Sequence, residues 1–488
     1  VFVHNTVQQL LTDDIGQVTI DMLPEDALLE IFDWYLKGNR FIFYNTEVWQ
    51  VLGHICRKWR NWVFGSAHRL NLQLFCTGNK PVKKMLDIWP LLPIIILGER
   101  TTTDKDNIVT ALEQNNRVCQ IRLKSLQNSL WDKVFTVMRE PFPVLTSMEL
   151  HSGGEAGEEP PTVSDSFLGR SAPHLQFLQL RGVSFPGLPK LLPSASHLVT
   201  LHLWDVSRSG YIPPEAMVAA LSVLTTLKEF QLQFQSRRSC PDQERRHPPP
   251  LTRSVLPALI CFIFRGVTEY LEDLVARIDT PLLDSLEITF FRQLIFHTPQ
   301  FAQFIGRTPN LMAYDEAHVV FTTSQAELKL SQYKLARYRR RGLMLEIYCN
   351  QSDWQLSMLA QVCTSSVPLI SSLEHLYIHE YEIMLIRPCW EDDIENVQWL
   401  ELLHPFITVK ALYLSRDIAS RIAPALEELV GERATEVLPA LQSLFLEVKP
   451  SAAVQKAIDK FIATRQLSNH PIVISHWDGK PAGWWTVD

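Results

Sequence analysis

The chain has 488 residues, enough at about 150 per domain for roughly three domains or one long modular array. Lys and Arg total 46 against 53 Asp and Glu, a formal charge of -7, with 46% of residues hydrophobic and 20% charged, which excludes a disordered or collagenous chain. The acidic balance supplies no general attraction to phosphate backbones or anionic lipid, so neither nucleic acid nor membrane is an expected partner.

Residues 1–17 read as an N-terminal leader. They begin with Val1 rather than Met and show no basic region leading into an apolar one, so no secretory signal is expected there. The longest apolar stretches, 89–98 and 255–264, fall well short of the ~20 residues that span a bilayer. Cys56, Cys76, Cys119, Cys240, Cys261, Cys349, Cys363 and Cys389 are scattered without a C-x-x-C pair, the pattern of reduced, buried thiols in a cytoplasmic or nuclear protein. Asn350-Gln351-Ser352 is a chance match to a glycosylation acceptor.

Residues 18–70 form a helical module by pattern. Pro24 suits a helix start, and Glu25 and Asp26 fall in the first turn, where the helix dipole favours anions. Leu28, Ile31, Phe32 and Tyr35 follow as an apolar stripe. In the second helix Val48, Leu52, Ile55 and Trp59 make one strip and Trp49, Cys56, Trp62 and Val63 another, too much apolar circumference for an ordinary surface helix. About fifty residues cannot cover both strips alone, so one strip must dock.

Leu23-Pro24, the acidic turn after it, Ile31-Phe32 and the segment Ile55-Cys56-Arg57-Lys58-Trp59 together resemble an F-box over about residues 18–65. The segment 37–47 makes the inter-helix loop longer than the family's usual one. The resemblance implies that the module binds the small Skp-type adaptor of a cullin-RING ubiquitin ligase. It places Leu23, Pro24, Ile31, Phe32, Leu52, Cys56 and Trp59 at or beside that interface, each with the alternative of a core role inside the module.

Residues 71–116 read as connecting helices and a first degenerate unit. From 117 to 450 one short pattern recurs: apolar, two variable, apolar, one variable, apolar. Clear copies start at Val118, Leu145, Leu175, Leu198, Leu227, Leu259, Leu283, Leu373, Val409 and Leu441, and weaker ones at Leu311 and near Leu343. Spacings of 27, 30, 23, 29, 32, 24 and 28 residues from 118 to 311 overlap those of leucine-rich repeats and run slightly beyond. The last two apolar positions of each copy share one face of a short strand. Segments such as 213–226, 264–278, 417–437 and 451–466 carry helical periodicity. One parallel strand and one helix per unit make an α/β solenoid, against the alternative of a conventional α/β domain, since the copies are degenerate and lack an Asn ladder position.

Two loops interrupt the array, acidic at 151–166 and basic at 236–253, and 333–342 is the strongest basic cluster. Asp392, Asp393, Glu427 and Glu428 read as solvated helix faces. Residues 451–488 read as a C-terminal helix and a capping tail whose three tryptophans pack back on the last repeats. With the repeats included, the chain resembles the F-box proteins with degenerate leucine-rich repeats found in mushroom-forming fungi.

No G-x-G-x-x-G, G-x-x-x-x-G-K, H-E-x-x-H or G-x-S-x-G motif occurs. His375 and His379 look like metal ligands, yet four residues along a strand separate them by about 13 Å, so no metal and no cofactor is expected. Strand alternation instead assigns an exposed concave wall: Arg122 and Lys124; Phe177, Gln179 and Arg181; His202 and Trp204; Gln231 and Gln233; Glu287 and Thr289; His375, Tyr377 and His379. The expectation is an α/β protein in which a small helical F-box module precedes a leucine-rich-repeat-like solenoid. It would serve as the non-catalytic substrate-recognition subunit of a Skp-cullin-F-box ligase, its repeats binding a protein substrate. The alternatives are an interaction scaffold outside ubiquitin transfer and a hydrolase or transferase.

Overall fold

The computed structural model describes residues 23–38, 52, 54–65, 72–78, 81–88, 91–99, 104–154, 158–241, 252–291, 298–312, 314–331, 342–349, 351–365, 370–381 and 395–478. The leader 1–17, most of the 37–47 loop, Trp49, parts of both charged loops, the basic cluster 333–341, Cys389, Asp392, Asp393, Trp484 and Trp485 lie outside the described residues. The chain divides into two compact units, residues 1–122 and 123–488.

The first unit starts with α1 (Glu25–Gly38) and α2 (Arg57–Gly65). The Pro24 carbonyl accepts from Leu28 N at 3.1 Å, and Glu25 and Asp26 occupy the positive end of the helix. Leu28 and Phe32, one turn apart, are buried with Leu52 and Trp59, and the Phe32 and Trp59 rings meet at 4.7 Å. Then come β1 (Leu72–Phe75), α3 (Val82–Ile88), β2 (Ile94–Glu99) and α4 (Lys105–Leu112), whose N-cap Asp104 accepts from Asp106 N and Asn107 N. β1 and β2 pair in parallel, Leu72 opposite Ile94. Strand–helix units therefore begin ahead of the first pattern copy at Val118. The division of the two units falls inside β3 (Val118–Leu126).

In the second unit follow α5 (Asn128–Val137), β4 (Ser147–Ser152), β5 (Phe177–Arg181), α6 (Leu188–Leu191), β6 (Thr200–Val206), α7 (Pro214–Leu221) and β7 (Glu229–Phe234). After β8 (Ser254–Val255) come β9 (Cys261–Gly266), α8 (Thr268–Val275), β10 (Ile278–Asp279), β11 (Ser285–Phe290) and α9 (Pro299–Gly306). β8 pairs only with β10, apart from the main sheet. Next are β12 (Glu316–Phe321), β13 (Gln325–Ser331), β14 (Gly342–Tyr348), α10 (Ser352–Ser365) and β15 (His375–Glu380). The chain closes with α11 (Asn396–Leu403), β16 (Ala411–Leu414), α12 (Arg416–Glu427), β17 (Ser443–Leu446), α13 (Ala452–Leu467) and β18 (Val473–His476).

The clear pattern copies fall on strands, and their paired apolar residues, such as Leu178 and Leu180 or Leu376 and Ile378, are buried. Successive turns join through the backbone. The Thr146 carbonyl accepts from both Gln176 N and Phe177 N; Gln176, Val199, Lys228, Ile260, Asp315, Glu374 and Lys410 do the same for the strand that follows them in the sheet. This carbonyl series links the repeats without an Asn side-chain ladder. An additional buried apolar residue sits three places ahead of most copies, Phe142, Ala172, Ala195, Leu224, Leu256, Ile370 and Leu438 among them, its carbonyl accepting from the first pattern residue.

The expectation of parallel strands throughout fails at one place. The sheet order runs β7-β9-β11-β14-β13-β12-β15, with β13 antiparallel to both neighbours. β12 and β13 form a hairpin, and the chain then returns to lay β14 beside β11. Gly342 permits that return: a Cβ there would stand 2.4 Å from the Leu330 carbonyl oxygen, at φ +137°. The weak copy at Leu311 is out of phase, because β12 buries Ala317, Val319 and Phe321.

Helices cover one face of this sheet, α8 against α9 and α10, α11, α12 and α13 in series. Buried Glu272 of α8 accepts from Gln300 N and Phe301 N in the first turn of α9. Arg465 of α13, with no exposed surface, donates to the carbonyls of Ala434, Leu438, Pro439 and Leu441. Among the described residues no helix is long and apolar enough to cross a membrane.

Candidate functional site

Two faces qualify as candidate binding surfaces, one in each unit. On the helical pair of the first unit, Leu28, Phe32, Leu52 and Trp59 are buried, Leu23 and Cys56 are half-buried, and Pro24 is exposed. The Cys56 sulfur accepts from Trp59 N at 3.3 Å, which fixes the start of α2. Three large apolar side chains stay in water: Ile31 at 46%, Trp34 at 70% and Ile55 at 55% exposure. The sequence reading missed Trp34; three residues beyond Ile31, it falls on the same helical face.

The second face is the side of the sheet away from the helices. Register aligns one residue per strand in a row that crosses it: Glu149, Gln179, His202, Gln231, Ile263, Glu287, Met344, Lys329, His318, Tyr377, Tyr413 and Phe445. Strands about 4.8 Å apart force these side chains into contact. For that reason Gln179, His202, Gln231, Thr289, Tyr377 and His379 are buried, where strand alternation alone predicts an exposed wall. Arg122 and Arg181 are exposed, and Lys124, Phe177, Trp204, Gln233, Glu287 and His375 are half-buried.

At one end the charges answer each other. Lys124 pairs with Glu149 at 2.9 Å and Arg181 with Asp205 at 2.8 Å, and the His202 Nε2 lies 3.0 Å from a Glu229 carboxylate oxygen. Trp204 stacks on His202 and donates to Gln231 Oε1 at 2.8 Å. Lys124 and Arg181, assigned from sequence to the exposed wall, are thus engaged within the chain.

In the middle, Glu346 stands opposite Glu327 across β14 and β13 and accepts from the Thr289 hydroxyl at 3.0 Å. Burial first, then the Glu327 charge, push the Glu346 carboxyl up to about 7. Nearby Arg265 lies between the rings of Tyr348 (5.1 Å) and Phe291 (5.5 Å). The sequence reading passed over Arg265, Glu346 and Tyr348, although alternation with Phe262 and Phe264, and with Leu343, Leu345 and Ile347, carries the signal.

At the far end His318, Tyr377, Tyr413 and Phe445 stack ring on ring at 4.5, 4.1 and 4.4 Å, all within 13° of parallel. Trp477 leans on Tyr377 and Tyr413 and donates to the Leu414 carbonyl. Burial holds the His379 imidazole down to about 3, with His318 adding to the effect. His375 and His379 lie on strand β15, and among the described residues no group of three or more His, Cys, Asp or Glu is placed to hold a metal ion. Burial raises the Cys76, Cys240 and Cys363 thiols to about 12 and those of Cys119 and Cys261 to about 11, so these thiols are unreactive.

No family model matches the chain, and no curated protein matches it. Solved structures that it resembles include an internalin from Listeria monocytogenes, at 11% identity and TM-score 0.32 over 82% of this chain and 95% of that one. Another is the leucine-rich repeat-containing protein LegL7 from Legionella pneumophila, at 12% identity and TM-score 0.25 over 80% of this chain and 97% of that one. Likenesses of this size do not define a shared fold; the class of the second unit, a strand–helix repeat array with a largely parallel sheet, rests on its own register and backbone carbonyl series.

Proposed function

We propose that the chain is the substrate-recognition subunit of a Skp-cullin-F-box ubiquitin ligase, its N-terminal helix pair docking on the Skp-type adaptor and its repeats holding a protein substrate. The observation that carries this reading is the helix pair itself. With its own core filled by Leu28, Phe32, Leu52 and Trp59, it still leaves Ile31 and Trp34 exposed on one helical face, and Ile55 exposed too, and large apolar side chains left in water mark a docking surface. Pro24 and Ile31 are adaptor contacts under the F-box resemblance; Phe32, Leu52 and Trp59 then act from inside, by fixing the angle of the two helices. The repeat face offers Trp204, Tyr413 and Arg265, residue types enriched where proteins bind. No residue performs chemistry in this account: holding substrate lysines near a charged ubiquitin carrier raises their effective concentration.

The test is a pull-down of the purified chain and its Leu23→Ala/Pro24→Ala variant against recombinant Skp-type adaptor. Binding by the native chain that the variant loses is the expected result. Failure of the folded native chain to bind would remove the ligase reading and leave a repeat protein of another role.

A further inference from the structure

We infer that Arg265 anchors the captured protein by receiving one of its carboxylates, an inference that rests on the repeat face being the substrate-binding surface. Phe262 and Phe264 fill the core, so Arg265 leaves β9 on the opposite, open side. There its guanidinium is held between the Tyr348 and Phe291 rings, and two π faces fix its plane without consuming its donors. Its register neighbours are neutral, Gln233 on one side and Thr289 on the other, and the Thr289 hydroxyl is engaged by Glu346.

No described residue accepts a hydrogen bond from Arg265 or pairs with it, and its Nε is buried without an acceptor. Other arginines of this unit are engaged: Arg181 by Asp205, Arg277 by Asp273 and Glu215, Arg307 by Asp279. A half-buried guanidinium that no described residue satisfies is a cost to folding, and the planar fork of donors is the complement of a carboxylate. Glu287, Glu327 and Glu346 stand on the following strands, which makes a phosphate dianion a poorer fit than a monoanionic carboxylate. The occupant is therefore an extended protein segment whose Asp or Glu side chain points at β9.

A random-peptide display library panned on the purified full chain supplies the probe. The native chain should enrich peptides with an acid at one position, and the synthetic Gln version of such a peptide should bind about tenfold more weakly than the Glu version, roughly the loss of one charge-assisted pair. On Arg265→Gln the two peptides should bind alike, and Arg265→Lys, which keeps the charge but not the fork, should discriminate less than the native chain. Arg265→Gln should keep or raise the melting temperature, whereas a structural arginine would lower it. Enriched peptides without a shared acid, Glu/Gln discrimination surviving in Arg265→Gln, or tighter binding of a phosphoserine version would each overturn the inference while leaving the receptor reading intact. No enrichment on the native chain would overturn both.

Discussion

Glu346 and Glu327 face each other across neighbouring antiparallel strands, two carboxylates where opposite charges would be favourable. The folded state accommodates them by holding a proton: Glu346 titrates near 7 instead of 4.5. A raised folded-state value means that the contribution to stability is complete below about pH 4.5 and is lost as pH rises through about 7. Urea unfolding at pH 5 and pH 8 should show the native chain losing stability that Glu346→Gln keeps, by about 3 kcal/mol at most. Equal pH slopes for the two proteins would contradict this.

His379 works in the opposite direction. It is neutral in the fold, lowered from 6.5 to about 3 by burial and by His318 and Lys329, so its contribution is present above about 6.5 and is lost as pH falls toward 3. His379→Gln should therefore move the acid-unfolding midpoint, followed by circular dichroism, down by about half a pH unit. An upward shift would mean that the imidazole is charged in the folded state.

Arg465 supports the end of the repeat array from inside, donating to four backbone carbonyls with none of its surface exposed. Arg465→Met removes those donors and strands the carbonyls, at a cost of about 3 kcal/mol. Chemical denaturation should show that loss; a change of less than about 0.5 kcal/mol, the usual scale for a surface substitution, would place the side chain in solvent.

The helix pair separates core from contact by one residue. Phe32→Ala should destabilise the module by about 3–5 kcal/mol, while neighbouring Ile31→Asp should leave the melting temperature unchanged and abolish adaptor binding. If Ile31→Asp binds like the native chain, the exposed apolar residues belong to some other partner.

Much of this was legible in the residues. Leu178 and Leu180, or Leu444 and Leu446, announce strands because a period of two survives sequence drift, and Pro24 with Glu25 and Asp26 announces a helix start. The hairpin of β12 and β13 was not, since Ala317, Val319 and Phe321 alternate in the same way whether their neighbour runs parallel or antiparallel. Nor was the burial of Gln179, His202 and Tyr377: it depends on which side chain stands beside each across the sheet, and Tyr377 against Tyr413 is set by register between residues far apart in the chain. Arg265 was within reach of the same alternation that picked out Arg181, but that no described residue pairs with it while Arg181 has Asp205 is a property of the folded sheet.

Hydrogen exchange of the full chain with and without recombinant Skp-type adaptor tests the central claim most directly. The account predicts slowed exchange in residues 23–38 and 52–65 and unchanged exchange across 123–478. Slowed exchange confined to the repeats, or none anywhere at saturating adaptor, would contradict it.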